Sequence, residues 1–437
     1  MLRSKDFIVL EIIFLSIVIG SLTISYNLYL HRHDLEIAVG ITKPVAISNE
    51  YIQRVTEFIN EVKQDVSRIR QLSFDKEIDV VIINTTWAVR MWAPKEDSIS
   101  EDMIYREVVY KATLLVPYNF SIVAGQRGWV AMFLAATAGT TLYINTDYFN
   151  PEHSVARNVL AHELTHILQH LHLKMAMEST TADSIMAYSA LIEGDAGWTQ
   201  HLYCMDTGLC TPSPALAIDV RNPYTSLLLF PYIYGESFVK TLYSYGGWEL
   251  VNRAYSKPPI STSMVMRPER YIAYLFNGSF LPENVTISRS LCQYGEPLYS
   301  DTLGEYYILL VLAQRIGLEE AMRAADGWSG DRVELYRDTG SRYPKWMLCW
   351  NISWTSQEEA REFYQSFIRA LKSSTESISI YGNTAYAKIY AEEIRRGWEP
   401  GVEIVPQAIN LSISINDRYV AIFSEVTELT YICKACG

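Results

Sequence analysis

The sequence has 437 residues, of which 49% are hydrophobic and 20% are charged, so the chain can bury a large core. Because single cores rarely grow beyond about 300 residues, this length predicts two or more folded units. The formal net charge of −12 argues against nucleic acid or anionic lipid as the main partner.

The first 33 residues contain an apolar stretch from Phe7 to Leu30. It is long enough to cross a bilayer, and the preceding Arg3 and Lys5 indicate an N-terminus inside the cell. No small-residue cleavage site follows it convincingly, which favours an uncleaved transmembrane anchor over a removed signal peptide. We therefore expect a single-pass cell-membrane protein whose residues from 34 onward lie outside the cytoplasm.

Two further features are typical of an extracytoplasmic chain. Six N-x-S/T sequons give weak support for glycosylation. The six cysteines predict disulfides, because an even number outside the cell tends to pair. The expected pairs are Cys204–Cys210, Cys292–Cys349 and Cys433–Cys436, although the C-terminal Cys-x-x-Cys could instead bind metal or perform redox chemistry.

Residues 34–150 are predicted to form an N-terminal α+β part of the main folded unit. An apolar stripe at helical spacing predicts a helix from Glu50 to about Arg70. Runs of β-branched residues predict strands at 77–84 and 140–145, the second of them just before the main motif.

That motif is H-E-L-T-H at positions 162–166. Apolar residues recur around it at helical spacing and Pro151 precedes it, so we predict a helix. Residues four apart share one helix face, and His162 and His166 can therefore offer imidazole nitrogens to one Zn²⁺ ion. Glu163 is then placed to accept a proton from a water that the metal activates.

A catalytic zinc site needs a third protein ligand, and two candidates are open. His172 has the spacing of a metzincin, but the chain would then have to leave the helix at Gln169, which is a good helix former. His170 is too far along the helix from His162 to serve. Glu193 lies on a second predicted helix, residues 183–203, in which small residues at 194, 196 and 197 would allow close packing against the first.

The motif followed by E-G-D-A at 193–196 resembles the gluzincins, the thermolysin-like superfamily of HExxH…E zinc metallopeptidases. It is most similar to poorly characterised bacterial and archaeal members with an EGxA helix. Similar blocks continue through F-P-Y-I-Y-G-E-S-F-V at 230–239, G-G-W at 246–248, 257–262, 267–271 and G-W-S-G-D at 327–331. The resemblance implies one zinc ion held by His162, His166 and Glu193.

The sequence departs from this family at two positions. Arg267 stands where relatives often have His. Gly197 stands where thermolysin-like enzymes have an Asp that supports a zinc-binding His, so that support must come from elsewhere, for example from Asp195 or Asp147. The resemblance also implies that the segment 131–144 contains an edge strand that pairs with a peptide substrate, although an ordinary sheet strand is an equal alternative.

Residues 151–283 are predicted to be the helical, zinc-binding part of the peptidase unit. We assign Tyr234 a catalytic role, because its hydroxyl could donate a hydrogen bond to the oxyanion formed when hydroxide attacks a carbonyl. Tyr232 could do the same or bind substrate, and Arg267 could pair with a substrate carboxylate.

Residues 284–437 are predicted to form a smaller C-terminal α+β domain, with helices at 303–316, 319–325 and 358–373 and strands at 377–381, 385–390 and 419–423. The predicted fold class is thus α+β. It comprises a transmembrane helix (residues 1–33), a gluzincin-like catalytic domain with an HExxH helix (34–150 and 151–283) and this C-terminal domain.

The leading hypothesis is a membrane-anchored, extracytoplasmic zinc metallopeptidase that acts on peptides or proteins, with Glu163 as general base. One alternative is a metzincin-like peptidase that uses His172 as the third ligand. The other is not an enzyme but a glycosylated cell-surface protein with a vestigial zinc site. An intact Glu163 counts against this last hypothesis, because a structural site needs no base.

Overall fold

The computed structural model describes residues 48–92, 100–122, 133–173, 180–287, 292, 294–338, 340, 345–375, 377–390, 402–403, 408–427 and 432–433. The helices are α1 (Asn49–Arg70), α2 (Thr85–Trp92), α3 (Glu101–Ala112), α4 (Ser154–His172), α5 (Ala182–Thr207), α6 (Pro223–Leu228), α7 (Phe230–Ala254), α8 (Thr262–Met266), α9 (Pro268–Asn277), α10 (Gly304–Ile316), α11 (Leu318–Asp326) and α12 (Gln357–Lys372). The strands are β1 (Asp79–Ile83), β2 (Ala135–Ala138), β3 (Thr141–Asn145), β4 (Tyr299–Asp301), β5 (Trp328–Asp338), β6 (Lys345–Trp354), β7 (Ile378–Tyr381), β8 (Thr384–Tyr390), β9 (Val402–Glu403), β10 (Ala408–Asn416), β11 (Tyr419–Thr427) and β12 (Ile432–Cys433).

The membrane part of the predicted fold class is corrected. Across the portion of the chain that the structure describes, no helix is both long and apolar enough to cross a bilayer. The predicted anchor at residues 1–33 lies outside the described residues. The structure supports a protein of mixed α and β structure, and it does not support the transmembrane fold class or the single-pass membrane location.

The N-terminal elements form a layer around the helix that carries the motif. Ser48 caps α1 by accepting a hydrogen bond from the Tyr51 amide at 3.1 Å. The apolar stripe of α1 is buried in one core with β2, β3 and α4. In the small sheet β1 is parallel to β3 and β2 is antiparallel to it, in the order β1-β3-β2. Strand β2 is thus an edge of this described sheet, and it contacts α4.

Two glycines let α5 and α7 touch through their backbones. A Cβ added to Gly194 would overlap the carbonyl group of Gly235, and one added to Gly235 would lie 2.5 Å from the carbonyl oxygen of Ala190. Gly194 therefore faces α7, whereas its small size was expected to serve packing against α4. This contact brings α7 close to the part of α5 that carries Glu193.

The C-terminal elements build a seven-stranded sheet in the order β4-β5-β6-β11-β10-β8-β7, with every neighbouring pair antiparallel. Strands β5, β6 and β10 were not predicted. Helix α12 covers the sheet with an apolar face, and Ser356 caps that helix through the Glu359 amide. The core under this sheet is continuous with that of α5, α7 and α10.

Two disulfides link described cysteines, Cys204 to Cys210 and Cys292 to Cys349. The first joins the end of α5 to the loop after it, and the second joins the segment before β4 to β6. The predicted third pair lies outside the described residues, because Cys436 is not among them and only the backbone of Cys433 is described.

Four buried carboxylates join the start of α5 to the C-terminal sheet, and we call them the acidic junction: Asp183, Asp301, Glu305 and Asp331. Asp331 accepts four hydrogen bonds of 2.9–3.0 Å, from the amides of Leu303 and Gly304 and the indoles of Trp328 and Trp350. Asp183 accepts from the amide and the hydroxyl of Thr262 at 2.9 and 2.6 Å.

Candidate metal centre

The structure brings His162, His166 and Glu193 together. Their candidate ligand atoms all lie within 4.8 Å of one another. The Nε2 atoms of His162 and His166 are 3.2 and 3.4 Å from Oε2 of Glu193. Helix α4 supplies both imidazoles because their spacing of four residues places them on one face, and α5 packs against that face with Glu193. Two imidazoles and one carboxylate are a donor set typical of a catalytic zinc site.

The charges of the three side chains are strongly coupled. Burial by itself would raise the pKa of Glu193, but the positive charges of His166 and His162 and their hydrogen bonds outweigh it and lower the pKa to about 2. Burial opposes protonation of His166, yet Glu193 raises the pKa of that imidazole to about 9. The Nε2 atom of His166 is buried, and its one described polar neighbour is Oε2 of Glu193 at 3.4 Å, a long and poorly aligned contact. The cluster therefore favours a cation between its three members, and it could hold a metal ion.

His162 is oriented by an amide side chain. Its Nδ1 lies 3.1 Å from Oε1 of Gln200, an acceptor that favours a proton on Nδ1 and leaves Nε2 free for the centre. Gln200 is itself held, because its Nε2 donates to Oγ of Ser213 at 3.0 Å and also to the Asn158 side chain.

His166 is oriented in the same way by Gln169, whose Oε1 is 2.9 Å from Nδ1 of His166. The amide nitrogen of Gln169 donates to the Ile192 carbonyl at 2.9 Å and to Oδ2 of Asp195 at 3.2 Å. Asp195 was expected to contact a histidine directly. Instead it accepts a hydrogen bond from Gln169, which in turn contacts His166. It pairs with Arg70 at 2.7 Å, with both side chains fully buried.

The other expected support, Asp147, is not next to the histidines. Its carboxylate accepts a hydrogen bond from the Thr85 amide at 2.8 Å, at the start of α2. Sequence reasoning missed Gln169 and Gln200 as the supporting residues because glutamine carries no metal-site signal by itself. Helical spacing could have indicated both residues. Gln169 follows His166 by three residues and Gln200 follows Glu193 by seven, so each lies on the helix face that carries a ligand.

Glu163 is held by one of its two carboxylate oxygens. Oε2 accepts a hydrogen bond of 2.8 Å from the hydroxyl of Thr137 on the edge strand β2. Oε1 is buried and has no partner among the described residues. Burial raises the pKa of Glu163, against the opposing charges of His166 and His162 and the Thr137 hydrogen bond. A buried acceptor that is left open beside a metal-type cluster has the arrangement of a general base.

Of the two candidate tyrosines, the structure places Tyr232 near His162. The ring of Tyr232 lies 6.5 Å from that of His162, and its hydroxyl is buried without a hydrogen-bond partner among the described residues. Burial and the charge of Glu193 raise its pKa well above the ordinary value, so it stays a proton donor. Tyr234, expected to be catalytic, packs instead against Phe230 and Tyr306.

Arg267 pairs with the acidic junction. Its guanidinium contacts both Glu305 and Asp326 at 2.5 Å, and Arg270 contacts Glu305 at 3.3 Å. These ion pairs partly neutralise Glu305, and the expected role of Arg267 in substrate binding stays a prediction. His172 also lies elsewhere, since α4 runs without a break through Gln169 and places that imidazole against the Ser73 carbonyl, 3.7 Å from Asp75.

Two family models match parts of the chain. One is described as an eCIS core domain and matches residues 132–173, a segment that includes β2, β3 and α4 with the HExxH motif. The other is a domain of unknown function (DUF8575) and matches residues 293–398. No curated protein and no solved structure matches the chain. Neither family model is described as a gluzincin, so that resemblance remains a prediction.

Proposed function

We propose that the protein is a zinc-dependent peptidase whose ligands are His162, His166 and Glu193. The observation that carries this proposal is the open Oε1 of Glu163, buried next to a His-His-Glu cluster. A purely structural metal site would have no use for a second carboxylate that is held by one oxygen and free at the other.

The chemistry follows from the positions of the side chains. A bound Zn²⁺ ion would act as a Lewis acid and make a water molecule more acidic. Glu163 accepts a proton of the attacking water at Oε1 and passes it to the leaving amine, while Thr137 holds Oε2 in place. The Tyr232 hydroxyl donates a hydrogen bond to the carbonyl oxygen of the substrate, on which negative charge develops.

The edge strand favours an extended peptide as the substrate. Strand β2 carries Thr137, so the residue that touches Glu163 lies on the same short strand that forms the sheet edge. A peptide added to that edge would bring its backbone carbonyls past the general base. The resemblance of 162–166 and 193–196 to gluzincins supports the same substrate class.

The test compares the zinc-loaded full chain with its Glu163→Gln variant in casein cleavage. We expect both proteins to hold one zinc ion and the variant to cleave about 10²–10⁴-fold more slowly, the usual contribution of a general base. His172→Ala is the control for the metzincin hypothesis and should retain both zinc and activity. Equal cleavage by wild type and Glu163→Gln, or zinc binding with no cleavage of any peptide, would contradict the proposal.

A further inference from the structure

A second pair of ionisable side chains lies beside the metal centre. His201 Nδ1 is 2.9 Å from Oε1 of Glu236, and the two side chains are 31% and 36% exposed. His201 lies two turns beyond Glu193 on α5, and Glu236 lies one turn beyond Tyr232 on α7. The pair thus lies where α5 and α7 face each other, about one turn beyond the centre, and the proposed reaction does not use it.

Gly197 lies against Glu236 where α5 faces α7. It is one turn beyond Glu193 on α5 and is partly exposed. A Cβ at this position would be in ordinary van der Waals contact with Glu236, 3.6 Å from its Cβ and 3.7 Å from its Oε2. Glycine therefore leaves the Glu236 carboxylate uncovered on this side.

Only one oxygen of Glu236 is engaged. Oε1 contacts His201, and the described residues offer Oε2 no hydrogen bond. Burial raises the pKa of Glu236, and the positive charges of His201, Lys240 and His162 oppose this rise. Its place near the centre follows from the helix, because Glu236 lies one turn after Tyr232, whose ring is 6.5 Å from that of His162. Lys240 does not close the pair, because its Nζ lies over the ring of Trp198 at 5.4 Å from the centroid.

We propose that Glu236, oriented by His201, binds a positively charged group of the peptide substrate next to the scissile bond. One helical turn is about 5.4 Å, and an extended peptide advances about 3.3 Å per residue. The cation therefore belongs to a residue within about two positions of the bond that is cut. This inference rests on the proposed peptidase function and adds a substrate class to it.

The cation is an ammonium or guanidinium group, and it can come from a Lys or Arg side chain or from the amino terminus of the peptide. A carboxylate that is half-buried and already held at one oxygen forms a stronger ion pair than a mobile surface Glu. Binding to a side chain would make the enzyme an endopeptidase with a basic preference, and binding to the amino terminus would make it an aminopeptidase.

The experiment uses the zinc-loaded full chain and a peptide library with blocked or free amino termini. Each of the two positions on either side of the cleaved bond carries Lys, Gln or Glu. We expect the wild type to cleave Lys peptides, or peptides with a free amino terminus, at least tenfold faster than their neutral counterparts. Glu236→Gln should lose this preference, and Glu57→Gln, a matched change at an exposed site on α1, should retain it.

A binding measurement separates this inference from the proposed function. Calorimetry on the zinc-loaded Glu163→Gln variant should show tighter binding of the cationic peptide than of the neutral one, and the added Glu236→Gln change should remove the difference. Cleavage by the wild type without any charge preference, or the same preference in Glu236→Gln, overturns the inference and leaves the peptidase proposal standing. A wild type that neither cleaves nor binds any library peptide overturns both.

Discussion

The metal centre and the acidic junction both bury several ionisable side chains, but they treat the polar atoms differently. In the acidic junction Asp331 accepts four hydrogen bonds and Asp183 accepts two. In the metal centre Oε1 of Glu163 and the hydroxyl of Tyr232 are buried without a hydrogen bond among the described residues, and Nε2 of His166 has only the 3.4 Å contact with Glu193. Buried polar groups whose hydrogen bonds are satisfied belong to the stable fold, whereas buried groups left without them mark a place where a ligand or reactant fits.

The contrast predicts opposite effects on stability for two acid substitutions. Asp331→Ala leaves two amides and two indoles unsatisfied and should lower the free energy of unfolding by about 3–5 kcal/mol. Glu163→Gln, which neutralises a buried carboxylate, should leave the metal-free protein at least as stable as the wild type. Urea unfolding of the wild type and both variants, with a chelator present to remove metal, measures the two changes in unfolding free energy. A larger loss for Glu163→Gln than for Asp331→Ala would remove the distinction between the two regions.

A smaller effect is expected from the amide that orients His166. Gln169→Ala removes the hydrogen bond to Nδ1 of His166 and the link to Asp195, and it should weaken zinc binding about 10–100-fold. Competition with a chromogenic chelator gives the affinity. His172→Ala, on the same helix but outside the centre, is the control and should bind zinc like the wild type. An unchanged affinity in Gln169→Ala would show that the second contact of His166 has no role in the site.

The acidic junction should make stability depend on pH. Burial is the largest cause that raises the pKa of Asp183, from 3.8 to about 8, and the charges of Asp331 and Glu305 add to it. A carboxyl group with a raised folded-state pKa binds more protons in the folded than in the unfolded protein. Its contribution is therefore complete below about pH 4 and is lost as the pH rises towards 8.

Asp183→Asn isolates this contribution. The difference in unfolding free energy between variant and wild type should change by up to about 1.4 kcal/mol per pH unit between pH 4 and 8, in favour of the variant at high pH. Urea unfolding at five pH values measures it. A difference that does not vary with pH would mean that Asp183 is ionised in the folded protein throughout this range.

The smallest expected effect concerns Thr137. Thr137→Val keeps the shape of the side chain but removes the hydrogen bond to Glu163, and kcat should fall about tenfold, because such a bond to a charged group is worth about 1.5 kcal/mol. Thr137→Ser restores the hydroxyl and should recover most of the rate. Loss of rate in both variants would indicate a packing role for the threonine methyl group.

The elements around the centre could be predicted from periodicity. The stripe of α1 and the residues around the HExxH motif show regular apolar spacing, and the bounds of α1 and α5 differ from the expected ones by a few residues. The choice between His172 and Glu193 also rested on a local property, the helix propensity of Gln169, and α4 does continue through that residue.

Other parts depended on tertiary contacts that no local pattern records. Tyr232 and Tyr234 are two residues apart and lie on opposite sides of α7, so the packing of α7 against α5, with its Gly194–Gly235 contact, determines which tyrosine lies near His162. Strand β6 is almost continuously apolar, and β5 alternates charged and apolar residues only from Arg332 to Leu335, so neither shows a sustained period of two. Arg267 was expected near substrate because a guanidinium can pair with a carboxylate, and no local pattern indicates its buried partner Glu305, which is 38 residues away.

The central claim is that the buried polar atoms without hydrogen bonds in the centre belong to a metal site. Zinc binding by the full chain tests this claim most directly. Metal content and affinity would be measured on the wild type, Glu163→Gln, Glu193→Ala and, as a buried carboxylate outside the centre, Asp183→Asn. We predict one zinc ion per chain in the wild type, Glu163→Gln and Asp183→Asn, and loss of that ion in Glu193→Ala. Zinc retained by Glu193→Ala with wild-type affinity would contradict the assignment of the ligands and, with it, the account of the centre.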